Sequence, residues 1–150
     1  MHANTFRRLI NLWPPFLFNA IRIQSLSADY SEAQVVLRLR FWNRNYVRSQ
    51  FGGNLFAMTD PFWMLLVMHQ LGRNYIVWDK SATINFVAPG YEHVYAHFKL
   101  ESSVVDELRA AAANGEKVLH WFETEVTTAS GKLIAVVRKQ VYVRLKRIAH

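Results

Sequence analysis

One run constrains this chain more than any other. After the pair Gly52-Gly53 it reads Asn-Leu-Phe-Ala-Met-Thr-Asp-Pro-Phe-Trp-Met-Leu-Leu-Val-Met-His-Gln-Leu, apolar at nearly every position as far as His69. A helix that is hydrophobic all round has to be enclosed by the rest of its domain. The pattern predicts a single helix of about 18 residues, or roughly 27 Å, starting at the glycine pair and stopping at Gly72. Asp60 is the one carboxylate inside it. An acid in such a place has to be neutralised, paired or used, because an unpartnered buried charge is costly. Pro61 follows at once, removes the hydrogen bond to the Ala57 carbonyl, and predicts a kink beside the acid. The competing reading makes Asp60 and Pro61 the cap and first residue of a shorter helix, with residues 53–59 a separate turn.

Around this run the period is mostly 2. Ile21 and Ile23 alternate with Arg22 and Gln24, and Val35, Leu37, Leu39 and Phe41 alternate with polar or bulkier neighbours, so two half-buried strands form a hairpin about the turn at Ala28–Ser31. Beyond Gly72, Ala82, Ile84 and Phe86 open a further strand, Pro89-Gly90 makes a turn, and Val94 to Leu100, Val118 to Thr127 and Leu133 to Leu145 continue the pattern. Asn4 to Asn11 reads as a short lid helix capped by Asn4 and ended by Pro14-Pro15, and Val104 to Ala113 as the other helix. Four later strands, mostly antiparallel neighbours, bury a wholly apolar helix only by curling around it. That is an α+β hot-dog fold, and 150 residues make one such domain, 1–150. A sheet curled on a helix leaves edges unpaired, which self-association remedies as a homodimer or a dimer of dimers.

Composition removes several chemistries. With no cysteine there is no disulfide, thiolate nucleophile or cysteine-ligated zinc, in keeping with a cytoplasmic setting. The six histidines lack the spacing of a metal site. The Leu55–His69 stretch is too short, and too interrupted by Asp60 and Pro61, to span a bilayer, so no membrane partner is expected. The N-terminal run Leu9–Phe18 is broken by Trp13-Pro14-Pro15 and is read as part of the fold. A net charge of +7 draws polyanions, but no motif stands behind nucleic-acid binding, and none is expected. The clusters Arg38, Arg40, Arg44, Arg48 and Arg138, Lys139, Arg144, Lys146, Arg147 read first as solvated strand faces.

The spacing Asn45-x5-Phe51-Gly52-Gly53-x6-Asp60 resembles the hot-dog thioesterase signature of an asparagine, then His-Gly-Gly, then an acid. The wider text, with Trp78-Asp79-Lys80-Ser81-Ala82 and Pro89-Gly90, resembles the thioesterase-like family DUF4442 over nearly the whole chain. Two positions depart from that pattern: Phe51 stands in place of the histidine, and Arg48 in place of a glycine.

The resemblance implies an acyl-CoA thioesterase needing no cofactor beyond the CoA of its substrate. Asp60 would serve as base or nucleophile, made more basic by poor hydration within the helix. The Gly52 and Gly53 amides would receive the oxyanion at a helix N-terminus. Asn45 would hold carboxylate, water or carbonyl, and the acid and the glycine half-sites would come from opposite subunits. Asp79 or Ser81 would sit near a water-orienting position, Asp79 and Lys80 pairing instead if their role is structural. Arg48 and the arginines near it would receive CoA phosphates. Phe51, Phe56 and Trp63 would line an acyl tunnel. The other class of function open to such a chain is a non-catalytic acyl- or lipid-binding module.

Overall fold

The computed structural model describes residues 1–147. Strands β1 (Ile21–Leu26), β2 (Glu32–Leu37), β3 (Tyr75–Phe86), β4 (Val94–Lys99), β5 (Val118–Thr128) and β6 (Leu133–Leu145) form one sheet in the order β1-β2-β4-β5-β6-β3. Every neighbouring pair is antiparallel. The helices are α1 (Ala3–Leu12), α2 (Pro14–Phe18), α3 (Gly52–Ala57), α4 (Phe62–Leu71) and α5 (Ser102–Ala111). The sheet curls about the α3–α4 element in the hot-dog arrangement, and Phe62, Leu66 and Val67 of α4 share one core with Val35, Phe98, Val126, Ile134 and Val141 of the strands. Leu66 is wholly buried; burial of a side chain of this kind stabilises the fold by roughly 1.5–3 kcal/mol.

The long helical element runs from Gly52 to Leu71 but is not one unbroken helix. Thr59 N–H and Asp60 N–H donate to the Phe56 and Ala57 carbonyls, three residues back, at 3.0 and 3.2 Å. Pro61 has no N–H to give, so a tight turn joins α3 to α4. Met58 (φ −65°, ψ −18°) and Pro61 (φ −85°, ψ −12°) stay in the right-handed region, and the rod kinks without reversing. Enclosure is also incomplete, since Met68 is exposed and Met64 and Leu65 are half-buried.

Two further expectations need correction. Helix α1 begins at Ala3 behind His2, with no side-chain cap from Asn4. Strand β2 ends at Leu37 and does not run on to Phe41. There Asn43 Nδ2 donates to the Arg38 and Asn19 carbonyls, its Oδ1 accepts from Arg40 N–H, and His93 Nδ1 accepts from Leu39 N–H, so side chains take over the backbone partners. Strand β3 lies at the far edge and pairs with β6.

The two sheet edges differ. Along β1, Asn11 covers the outward groups of Ile23, its Oδ1 accepting from the N–H at 2.7 Å and its Nδ2 donating to the carbonyl at 3.1 Å, and Arg7 donates to the Gln24 carbonyl. Strand β3 has β6 on one side and carries exposed Ile76, Trp78 and Phe86.

Candidate functional site

Asp60 lies in the turn between α3 and α4, where the missing proline N–H lets the backbone open. Its Oδ1 accepts a hydrogen bond from Lys139 Nζ at 2.8 Å. Lys139 is on β6 in phase with Val137, Val141 and Val143, on the helix-facing side of the sheet, and is only 3% exposed. Its ammonium also reaches Asp79 Oδ2 at 3.5 Å and lies 5.2 Å from the centroid of the Phe56 ring. One lysine therefore serves two carboxylates against an aromatic face.

Asp79 reaches this place because β3 bulges between Asp79 and Ser81. Asp79 pairs with Val141 and Ala82 with Lys139, both inward positions, while Ser81 pairs with Gln140 and is exposed. The extra residue, Lys80, switches the phase of the strand. Burial pushes the Asp79 carboxyl above its ordinary value; the Lys139 charge opposes the shift and the Asp60 charge adds to it. Asp79 Oδ1 is buried and accepts no hydrogen bond from the described residues.

A second constellation surrounds the glycine pair. Asn45 Nδ2 donates to Ser49 Oγ at 2.9 Å and its Oδ1 accepts from Ser49 N–H at 3.0 Å, closing a tight loop before α3. Arg48 occupies that loop with φ 67°, the left-handed region that favours glycine, so this position holds a non-glycine residue in a glycine-type conformation. Gln50 N–H donates to the Gly90 carbonyl, and Gln50 Nε2 donates to the Leu37 and Glu92 carbonyls. The result is an open cleft of about 390 Å³ whose wall includes Asn45, Gln50, Gly52, Phe86 and Gly90.

The glycines themselves are covered by phenyl rings. A methyl group on Gly53 would meet Phe51 Cε1 at 2.5 Å, and one on Gly52 would meet Phe86 Cζ at 2.9 Å. Both rings are more than half exposed and free to swing.

The structure thus brings Asp60 together with Asp79 and Phe56, and Asn45 with Gly52, in two separate places. Eight residues of helical path separate Gly52 from Asp60, roughly 12 Å at the usual rise. Asp60 is not the poorly hydrated acid expected from its sequence setting: its side chain is 55% exposed and paired. The desolvated carboxyl is Asp79, which pairs with Lys139 and not with Lys80. Lys139 is the residue that sequence reasoning misplaced, counted with a solvated basic run although its phase in β6 is apolar. Trp63 belongs to the core, stacked on Phe122 and donating to Thr124 Oγ1 at 2.8 Å. Two of the histidines have local tasks, His97 pairing with Glu32 and His69 stacking on Tyr30.

The same architecture occurs in solved structures of low sequence similarity. A Pseudomonas aeruginosa protein of unknown function, described as a probable thioesterase, superposes with a TM-score of 0.87 at 17% identity over 97% of each chain. A thioesterase from Haemophilus influenzae aligns with a TM-score of 0.70 at 14% identity, over 100% of this chain and 95% of that one. The PaaI protein from the phenylacetic acid degradation operon of E. coli gives 0.63 at 17% identity, over 97% and 92%. No curated protein matches the sequence. The model of the family called domain of unknown function DUF4442 matches residues 3–143, and the chain belongs to that family.

Proposed function

We propose that this protein is a thioester hydrolase of the acyl-CoA thioesterase type, working as a homodimer or a dimer of dimers in the cytoplasm. The observation that carries the reading is the position of Asp60, half exposed at the helix break and held through one oxygen by Lys139. Its other oxygen accepts nothing from the described residues and is available to a water or a thioester carbonyl.

Acting as base, Asp60 takes a proton from water as the hydroxide adds to the carbonyl carbon. Acting as nucleophile, it adds to that carbon itself, and water cleaves the resulting anhydride. Either route ends with the C–S bond broken, the acyl group released as an acid and the CoA thiol reprotonated. The oxyanion needs donors about 3 Å away, and the Gly52 and Gly53 amides lie roughly 12 Å from Asp60 along the rod. A complete site therefore takes its acid from one subunit and its glycine turn, with Asn45 beside it, from the other. Supporting this, Asn11 and Arg7 already occupy part of the β1 edge, while β3 has a long edge without a partner among the described residues, with Ile76 and Trp78 exposed. In this reading Phe56 and Phe51 border the acyl path, Arg48 meets a CoA phosphate, and Asp79, with one oxygen unpartnered among the described residues, is the group available to orient water. Ser81, facing outward, is the weakest member of the proposed site.

The test is release of free thiol from a panel of acyl-CoAs. Asp60→Asn is expected to abolish turnover with the assembly intact; an unchanged rate ends the assignment.

A second reading, a non-hydrolysing acyl-binding module, is favoured by the rings of Phe51 and Phe86 over the two glycines, where a carbonyl would have to approach. Tight acyl-CoA binding by the wild-type protein with no thiol released would select it.

A further inference from the structure

No helix of the described residues is long and apolar enough to cross a membrane. Contact with a membrane surface is a different question, and one end of the molecule bears on it. Between α1, α2, β1 and the segment after β2 lies a cleft of about 580 Å³ lined by Arg7, Arg8, Arg22, Arg38 and Arg40. None of the five forms a salt bridge among the described residues. Five like charges around one cleft repel unless an anion enters it.

The rim of this cleft is apolar where a solvated rim would be polar. Helix α1 turns Phe6 and Ile10 to the core, yet Leu9 and Leu12 are exposed. Leu17 and Trp42 line the cleft, and the exposed Phe18 accepts the Trp42 indole N–H on its carbonyl at 3.0 Å. On the other flank of α1, Trp13, Pro61 and Leu65 border an apolar groove of about 410 Å³.

We propose that this face docks the protein on an anionic phospholipid surface, the arginines engaging headgroup phosphates and the leucine and aromatic side chains entering the acyl boundary. This occupant answers both halves of the patch. A dissolved phosphate or a nucleic acid answers the arginines but leaves exposed aliphatic side chains in water. A second copy across a two-fold axis would cover the apolar residues but oppose five arginines with five. A bilayer interface takes basic and apolar groups together on one helix face. The proposal does not rest on the thioesterase reading, because its measurement is partitioning and not turnover.

The experiment is co-sedimentation of the full chain with vesicles of phosphatidylcholine alone or with one third phosphatidylglycerol. Expected is pelleting with the anionic vesicles only, weakened by salt. Replacing Arg22, Arg38 and Arg40 by Gln together lowers the partition coefficient on the order of 100-fold, and Leu12→Ser with Leu17→Ser lowers it separately, with unchanged melting temperatures. Equal binding to neutral vesicles, or arginine variants that bind as well as wild type, overturns the proposal. So does pyrophosphate raising the melting temperature, or RNA being retained, while anionic vesicles stay unbound.

Discussion

Lys139 Nζ lies 2.8 Å from Asp60 Oδ1, joining positions 79 residues apart. It is the contact that fixes where the acid at the helix break points. Because Lys139 is buried and Asp79 half-buried beside it, removal of the cation is expected to be felt by the whole fold. Lys139→Met should lower the unfolding free energy in urea by about 1–3 kcal/mol, since it leaves Asp79 without its partner. Adding Asp79→Asn should restore most of that loss. A double variant as unstable as the single one would show that the cluster is not coupled.

Asp79 gives a pH signature. Its carboxyl is raised above the ordinary 3.8, burial being the largest cause. The folded protein thus holds this proton more tightly than the unfolded chain. The stabilisation so gained is complete below the ordinary value and is lost as pH rises through the folded one. Asp79→Asn cannot ionise, so its melting temperature relative to wild type should be more favourable at pH 7 than at pH 4. The opposite order, in paired thermal melts, would show the carboxylate to be net stabilising.

Arg48 holds a left-handed conformation that glycine adopts at no cost. A left-handed non-glycine residue costs roughly 1–2 kcal/mol, and glycine's extra freedom in the unfolded chain cancels part of that gain. Arg48→Gly should therefore stabilise the protein by about 0.5–1 kcal/mol. If the arginine meets a CoA phosphate, the same change should raise KM for acyl-CoA severalfold with little effect on kcat.

The ring over Gly53 predicts a separation of stability from turnover. Gly53→Ala pushes a methyl against Phe51, which is exposed and can move, so the fold should lose no more than about 1 kcal/mol. Thiol release should fall at least tenfold if the amide there receives the oxyanion. Phe51→Ala in the same chain should recover the stability and not the rate.

Composite sites make a claim about mixtures. Asp60→Asn, inactive, and Gly53→Ala, impaired at least tenfold, should reach about one quarter of wild-type activity when unfolded and refolded together, because half the dimers pair unlike subunits and each of those keeps one intact site. No recovery, with mixed dimers demonstrated by mass, would place the acid and the amides in the same chain.

Much of this was legible in the alternation of side chains. Strand β6 was anticipated to its ends at Leu133 and Leu145, and β5 to within a residue. The β1–β2 hairpin and the helical element ending at Gly72 followed from period and turn chemistry. What escaped has physical causes. Lys139 was grouped with Arg138 because a run of charge was read along the chain, whereas a strand sends neighbours to opposite faces. Asp79 could not be brought to Asp60 because a single-residue bulge, which leaves no periodic trace, reverses the phase of β3. The pairing of β3 with β6 is a long-range choice that neighbouring turns do not encode. Asp60 was taken as dry because a helix was assumed to continue through Pro61, and the missing N–H opened it to water instead.

The side chain of Asn11, lying along Ile23 as though it were one more peptide, gives the sheet a beginning. A sheet with two open ends is a monomer for a fibre, each copy offering a place for the next. With one end partly covered, pairing is steered to the other: two six-stranded sheets joined at β3 would be left with only β1 edges, each partly occupied at Ile23 and Gln24. In the proposed assembly a surface helix thus biases which edge is free to pair, by covering part of the other with Asn11 and Arg7.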